Sequence, residues 1–420
     1  MLEDAQGLDV TTDSPEAIAA LNGFVDQALS YGNDAEARIL EGIAADPTCA
    51  IAHACAAAYY LSQENGAAWK QAVPFLQSAQ RYAKRATERE RLYIAAITAW
   101  AEGAIDRAIA LHETIAKQYP RDILSVQQGQ YHYFYQGNQE RLLQIAEQVL
   151  PANRENPYLY GMVAFGLEQC YRLPEAEAMG RQATAMKRHN PWAHHAVAHV
   201  LESEGRVDEG IAWMEGLADT WKQCNTMLYT HNWWHVGLYY LAKGDLQTVL
   251  SLYDTHIWGR ACKESPKDQV GAIATLLRLE LSGLNIEDRW QELASYLSPR
   301  LHEHALPFQD LHYLYALARA GNQFELAEML VSMQAHASAP NLCVNWLDVV
   351  MPAAYGLVAH AKGDWSTATS LLKPVLPRLW AIGGSHTQRQ LFDQLYRDAL
   401  SRDEQWQANV LQHRRQRRVA

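Results

Sequence analysis

Phenylalanine and cysteine are both scarce in this 420-residue chain, with 7 Phe and 6 Cys beside 13 Trp, 21 Tyr and 17 His. The cysteines (Cys49, Cys55, Cys170, Cys224, Cys262 and Cys343) are dispersed and form no CxxC pair. That spacing excludes a disulfide framework and a zinc ribbon, and reads as reduced, mostly buried thiols of a cytoplasmic protein. Positive charge is also short: 36 basic against 47 acidic side chains leave a formal charge of −11. Such a chain lacks the basic footprint that phosphate backbones require, so no nucleic-acid partner is expected. Long apolar runs are missing as well. The start, MLEDAQGLDVTTDSPEAI, is acidic and does not read as a secretory signal. The apolar stretch from Val349 to Ala361 is short and carries Pro352 and His360, so no membrane span is expected. No GxGxxG, Walker A, GxSxG or kinase pattern occurs. What is abundant is apolar surface, at 49% of residues, which is enough to offset the entropy of ordering the chain and excludes general disorder.

Almost every segment carries helical periodicity, and strand-like alternation is hard to find. The segment TERERLYIAAITAWAEGAIDRAIALHETIAKQYPRD predicts one helix from about Glu88 to Glu102, a turn at Gly103, and a second helix to about Gln118, stopped by Pro120. The small residue Ala108 sits where the two helices must approach. Turn glycines recur at Gly103, Gly137, Gly205, Gly244, Gly321 and Gly363; Gly103 to Gly137 is 34 residues, and Gly137 to Gly205 is 68, twice that. Thirty-four is the tetratricopeptide repeat period. The spacing later lengthens, to 39 between Gly205 and Gly244 and 42 between Gly321 and Gly363. The expected fold is all-α: an α-solenoid of about eleven tetratricopeptide-like hairpins whose superhelix can close around a central pocket. The repeats read as regular over 1–224 and degenerate over 225–420, in one continuous domain. Since no hairpin buries its apolar face alone, Trp192, Trp213, Trp221, Trp290, Trp346 and Trp365 are expected in interrepeat packing. The basic tail, His413 to Arg418, complements the dipole of a final helix.

The histidines do not follow this packing logic. Six of them (His189, His194, His195, His199, His231 and His235) fall within 47 residues, where an even spread of 17 over 420 places about two. In PWAHHAVAHVLESEGR, His195 and His199 are four apart and share a helix face, with Glu202 three further on. THNWWHVGLYYLAKGD repeats the spacing with His231 and His235 on the first helix of the next hairpin. Two such helices in adjacent units bring four imidazoles and a carboxylate toward one place. That set suits ligation of zinc, iron or manganese, although Ala-Val-Ala between His195 and His199 departs from the zincin motif. It equally suits a metal-free acid–base pocket, or histidines hydrogen-bonded between helices.

Other polar groups are candidates for the same pocket. LYDTHIW carries Asp254 and His256, and LPFQDLHYLYALARAGN carries Asp310 and His312. AIGGSHTQRQLFDQL places Gly383, Gly384 and Ser385 before a helix that opens with His386, Gln388 and Arg389. A glycine pair and Ser at a helix start either hold an anion on backbone NH groups or supply an ordinary Ser N-cap.

These segments, with CNTMLYTHNWWHVGLYYLAKGD, FQDLHYLYALARAG and LPRLWAIGGSHTQRQLFDQLYRDAL, resemble the tetratricopeptide repeat protein 38 family in the same order from about Ile94 to Arg402. The resemblance implies a compact, cytosolic helical-repeat protein without an assigned general activity. One segment departs from it: in QQGQYHYFYQG, Gln130 stands where relatives look to carry a His, and His132 is displaced by two.

Three functions are compatible with these residues. The first is a ligand-binding solenoid for a small polar molecule or short peptide terminus, centred on His195, His199, His231 and His235, with Trp233, Trp234 and Tyr239 as stacking surfaces. Asp310, His312, His386, Gln388 and Arg389 would be delivered by later repeats. The second is a hydrolytic or acid–base enzyme, metal-dependent or not, in which Glu202 or Asp310 orients a histidine base. The third is a scaffold that holds a partner's extended segment in an open groove.

Overall fold

The first helix of each central hairpin begins at a side chain that accepts a hydrogen bond from its own first turn. Thr87, Asp122, Asn156, Asn190 and Asn225 each cap a helix in this way and follow one another at 35, 34, 34 and 35 residues. All six turn glycines expected from the spacing have positive φ, between 67° and 81°. The missing glycine between Gly137 and Gly205 is replaced by Tyr171, which stands 34 residues from each and adopts φ 58°. A non-glycine residue there costs about 1 kcal/mol or more, which the surrounding packing must offset.

The computed structural model describes residues 1–339 and 346–419, with side chains described up to residue 406. Cys343 and the side chains of the basic tail lie outside the described residues. The chain divides into two compact units, Met1–Asp268 and Gln269–Ala420. This division falls beyond the 224/225 boundary at which the repeat spacing changes. Unit 1 holds seven successive helix pairs: α1 (Pro15–Ser30) and α2 (Ala35–Ala45), α3 (Ala50–Leu61) and α4 (Ala68–Tyr82), α5 (Glu88–Ala101) and α6 (Ile105–Gln118), α7 (Ile123–Tyr135) and α8 (Gln139–Val149), α9 (Pro157–Gln169) and α10 (Leu173–Met186), α11 (Pro191–Ser203) and α12 (Val207–Glu215), and α13 (Thr226–Ala242) and α14 (Leu246–Leu252). A π-helical turn over Tyr253–Ile257 extends α14. Helix α15 (Pro266–Leu281) crosses the division, and unit 2 continues with α16 (Arg289–Ala294), α17 (Pro307–Ala320), α18 (Gln323–Ala337), α19 (Met351–Ala361), α20 (Trp365–Leu372) and α21 (His386–Val419). The fold is an all-α helical-repeat solenoid, with ten successive helix pairs and a long last helix among the described residues, where about eleven hairpins were expected. The only extended pairing of named strands among the described residues is the short ladder of β1 (Leu2–Glu3) and β2 (Asp9–Val10).

Repeat packing rests on small residues at the closest approaches. Ala108, Ala164, Ala176, Ala196 and Ala198 are fully buried, so neighbouring backbones come near enough to exclude water. Gly180 faces Val197, whose methyl would lie 2.5 Å from an added Cβ. Unit 1 also folds back on itself. The α1 end reaches the start of α13, where Asn225 N–H donates to Tyr31 O at 2.7 Å and Asn33 N–H donates to Gln223 O at 3.1 Å. Along the way Tyr158 Oη–H donates to Asp26 at 2.6 Å, and the Tyr31 ring stacks on Trp192 at 5.1 Å. The end of the first helix therefore meets α9 through Asp26 and the start of α11 through Tyr31.

No helix among the described residues is long and apolar enough to cross a membrane. The apolar stretch beginning at Val349 instead forms a π-helical turn and α19, with Met351, Ala353, Ala354 and Leu357 buried. Five cysteines are free thiols; three are buried, Cys170 is half-buried and Cys262 is exposed, in line with the expectation of mostly buried thiols.

Candidate functional site

Asn190 and Pro191 start α11, and Asn225 starts α13, in nearly equivalent repeat positions. Asn190 also donates to Pro157 O at 2.9 Å, tying the entry of α11 to the entry of α9. With three consecutive first helices held in register, residues five to twelve positions after each cap come face to face.

The i, i+4 pairs on α11 and α13 converge. The Nε2 atoms of His195 and His231 are 3.0 Å apart, and those of His195 and His199 are 3.1 Å apart. His235 completes the set, its ring centroid 4.5 Å from His199, 4.9 Å from His195 and 5.0 Å from His231. One ligand nitrogen from each of the four lies within 4.8 Å of all the others. His195, His199 and His235 are buried, and His231 is half-buried.

Carboxylates stand behind the rings. Glu202 Oε2 lies 3.4 Å from Nδ1 of His235, and Glu168 Oε1 lies 3.8 Å from Nδ1 of His199. Glu202 was expected beside His195 and His199; it instead backs the histidine of the next hairpin. Glu168, on α9, was not expected at all. It is fully buried and takes a 2.6 Å hydrogen bond from Gln169. Its signal was present: Glu168 and Glu202 are 34 residues apart, so they hold the same repeat position.

The walls are aromatic. Trp192 stacks on His195 at 4.6 Å, Trp234 stacks on His231 at 5.1 Å, and Phe165 lies 5.5 Å from His195. Trp192 thus belongs to the site as well as to interrepeat packing. Burial disfavours the charged form of these rings: it holds His231 down to about 4, and it holds His195 well below the ordinary range, helped by His199 and His231.

Four neutral imidazoles facing one another are poorly satisfied by protons alone. The His195 Nε2 atom meets two other Nε2 atoms, while its Nδ1 is buried without a hydrogen-bond partner. If His199 donates from Nε2, its Nδ1 turns a lone pair toward the Glu168 carboxylate. A cation at the centre would remove this conflict: the facing nitrogens would be ligands, and Nδ1–H of His199 and His235 would face a carboxylate.

Several expected members lie elsewhere. Trp233 stacks on His256 at 3.9 Å and meets Trp221 edge-on at 5.5 Å. Tyr239 is core, donating its hydroxyl to Ala198 O at 2.6 Å, with Gly210 packed on its ring. Asp254 is exposed in the π-helical turn. His194 is a structural histidine, accepting from Trp221 Nε1 at 3.1 Å and paired with Arg188 O at 2.9 Å. Gln130 donates to Leu142 O at 2.8 Å and Met162 O at 3.3 Å, bridging hairpins.

The remaining candidates belong to unit 2. Asp310 is buried and paired with His304 Nδ1 at 3.0 Å. His312 donates from Nδ1 to Phe308 O at 2.7 Å, and its burial between Phe308 and Phe392 holds it down to about 4. His386 is half-buried at the start of α21. Ser385 and Gln388 form a reciprocal cap, with Gln388 N–H donating to Ser385 Oγ at 3.2 Å and Ser385 N–H to Gln388 Oε1 at 2.9 Å. Arg389 donates to Gly384 O. The glycine pair therefore serves an ordinary helix start, the second of the two readings of GGSH.

No known family profile matches the chain. Solved structures of similar fold include the human IFIT1 dimer with PPP-AAAA (TM-score 0.44, 16% identity, 91% of this chain and 87% of that one). Others are the Cut9–Hcn1 hetero-tetramer of the APC/C (TM-score 0.41, 13% identity, 94% and 79%) and the TPR domain of P58(IPK) (TM-score 0.22, 11% identity, 76% and 99%). These are likenesses of fold alone.

Proposed function

We propose that unit 1 is a metal-binding solenoid in which His195, His199, His231 and His235 hold one divalent first-row transition-metal ion. The observation that carries this reading is the approach of three Nε2 atoms to 3.0 and 3.1 Å with carboxylates behind the outer rings. Four nitrogens within 4.8 Å of one another span a distance that a single ion bridges, which supports an ion as the ligand ahead of a small polar molecule or peptide terminus. Zinc, iron and manganese all accept imidazole nitrogens, and the four histidines would hold any one of them. A bound ion would supply a Lewis acid and an activated water, with Glu202, half-buried beside His235, as the proton acceptor. The class of activity is therefore metal-dependent hydrolytic or acid–base chemistry. An open groove for an extended partner fits unit 1 less well, because the end of α1 meets α9 and the start of α11. The finer family membership, in the tetratricopeptide repeat protein 38 family, rests on HAVAH, HNWWH, DLHY and GGSH.

Elemental analysis tests the reading. Full-length protein is expected to carry close to one iron, manganese or zinc per chain, and the His195→Ala/His235→Ala variant less than a tenth of that. Metal-free protein that takes up none of the three ions on titration would overturn it.

A further inference from the structure

Unit 2 contains a second constellation, independent of any metal. His304 Nδ1 lies 3.0 Å from Asp310 Oδ2, and His304 Nε2 lies 2.7 Å from Ser332 Oγ. Asp310 and His304 are buried, while Ser332 is half-buried on α18 and reachable from outside. A second imidazole meets the same hydroxyl: His302 Nδ1 is 3.0 Å from Ser332 Oγ, and its Nε2 is 2.9 Å from Glu328 Oε1. His304 is held at φ 46°, in the left-handed region that a residue with a side chain rarely adopts. Strain of this kind persists where the surroundings over-determine a side chain's position. We infer that Asp310, His304 and Ser332 form a nucleophilic triad that cleaves a small apolar acyl ester.

The order of hydrogen-bond partners assigns the roles: Asp310, His304, Ser332, His302 and Glu328 are linked in that sequence. In the productive arrangement Ser332 donates to His304 Nε2, and His304 Nδ1–H donates to Asp310. This is the arrangement in which an imidazole can take a hydroxyl proton while a buried carboxylate fixes its tautomer.

The reaction follows from these positions. Ser332 Oγ bonds to the ester carbonyl carbon as its proton passes to His304 Nε2. The negative charge that forms on the carbonyl oxygen faces His302, a side-chain donor in place of backbone NH groups. The C–O bond to the leaving alcohol breaks, and the alcohol takes the proton from His304. Water then attacks the acyl-serine, gives a proton to His304, and releases the carboxylic acid as that proton returns to Ser332. One ester and one water are consumed; one acid and one alcohol are formed. An apolar acyl group suits the surroundings: the rings of His336 and Trp346 lie 5.1 and 6.1 Å from His304, and Val331, beside Ser332, is 71% exposed.

Diisopropyl fluorophosphate tests the triad on the full chain, with the adduct located by peptide mass. The expected result is one diisopropylphosphoryl group on Ser332, absent in Ser332→Ala and formed at least 100-fold more slowly in His304→Gln. Labelling is expected to be the same with metal-free and metal-loaded protein, so its outcome stands apart from that of the metal analysis. Where His304→Gln does not fold, the pH profile of the unmodified chain decides: the labelling rate should rise as an imidazole loses its proton, and a flat profile overturns the triad. No adduct at Ser332, or one formed equally fast in His304→Gln, also overturns it.

Discussion

Unit 1 and unit 2 both bury histidines, but they satisfy them in opposite ways. In unit 1, His195, His199 and His231 turn nitrogen toward nitrogen. In unit 2 three rings have chemically distinct partners. His304 has Asp310 and Ser332, and His302 has Glu328 and Ser332. His360 has Asp398 at 3.0 Å and the Tyr315 hydroxyl at 3.2 Å. An imidazole between an acid and a hydroxyl is a hydrogen-bonded unit on its own, whereas a cluster of imidazoles also offers several nitrogens to one cation. Counting histidines would treat the two units alike. Their partners tell them apart.

The largest effect should fall on metal content. Replacing His195 and His235 by Ala is expected to lower bound metal at least tenfold by elemental analysis, whereas His302→Ala/His360→Ala should leave it unchanged. Equal loss in both variants would erase the contrast. The next effect is on stability: adding the preferred ion to metal-free protein at about a thousand times its Kd should stabilise the chain by about 4 kcal/mol, read by thermal or urea unfolding, and the unit 1 variant should gain none.

Isolated buried histidines should behave alike in both units. Burial holds His132 in unit 1 and His312 in unit 2 down to about 4, below the ordinary 6.5. The stability that comes from keeping them neutral is complete above pH 6.5 and is lost as the pH falls through about 4. Each should cost about 3 kcal/mol over that window. Urea unfolding at pH 7 and pH 4 should show His132→Leu and His312→Leu flattening the acid loss to a similar degree. The smallest effect belongs to Tyr239→Phe, which removes the bond to Ala198 O. It should cost about 1 kcal/mol in chemical unfolding and leave metal content untouched; a loss of metal would return Tyr239 to the site.

Much of the fold was legible because it is periodic. The helix pair expected from about Glu88 to Gln118 is observed as Glu88–Ala101 and Ile105–Gln118, separated by Gly103 in the left-handed region. The i, i+4 histidine pairs were legible for the same reason, since helical spacing alone puts them on one face. Rotation about that face was not legible. It turns Trp234 toward His231 and Trp233 toward His256, although the two are adjacent in sequence. Glu202 was assigned to its own helix and meets the next one instead, because Cβ positions alone do not say which neighbouring helix a long side chain reaches. The triad of unit 2 escaped the sequence reading for a different reason. His304, Asp310 and Ser332 lie on a loop and two helices at no repeating interval, and only the approach of α17 and α18 joins them.

The histidine cluster and its two carboxylates draw on α9, α11 and α13, three consecutive first helices of unit 1. Solenoids behave as springs, because each repeat touches only its neighbours and small shifts at every interface add up along the array. An ion gripped by His195, His199, His231 and His235, with Glu168 and Glu202 buttressing it, would rivet three turns of that spring together. The loaded segment would then resist stretching and twisting as one block, and pulling the protein by its ends would extend the flanking repeats first.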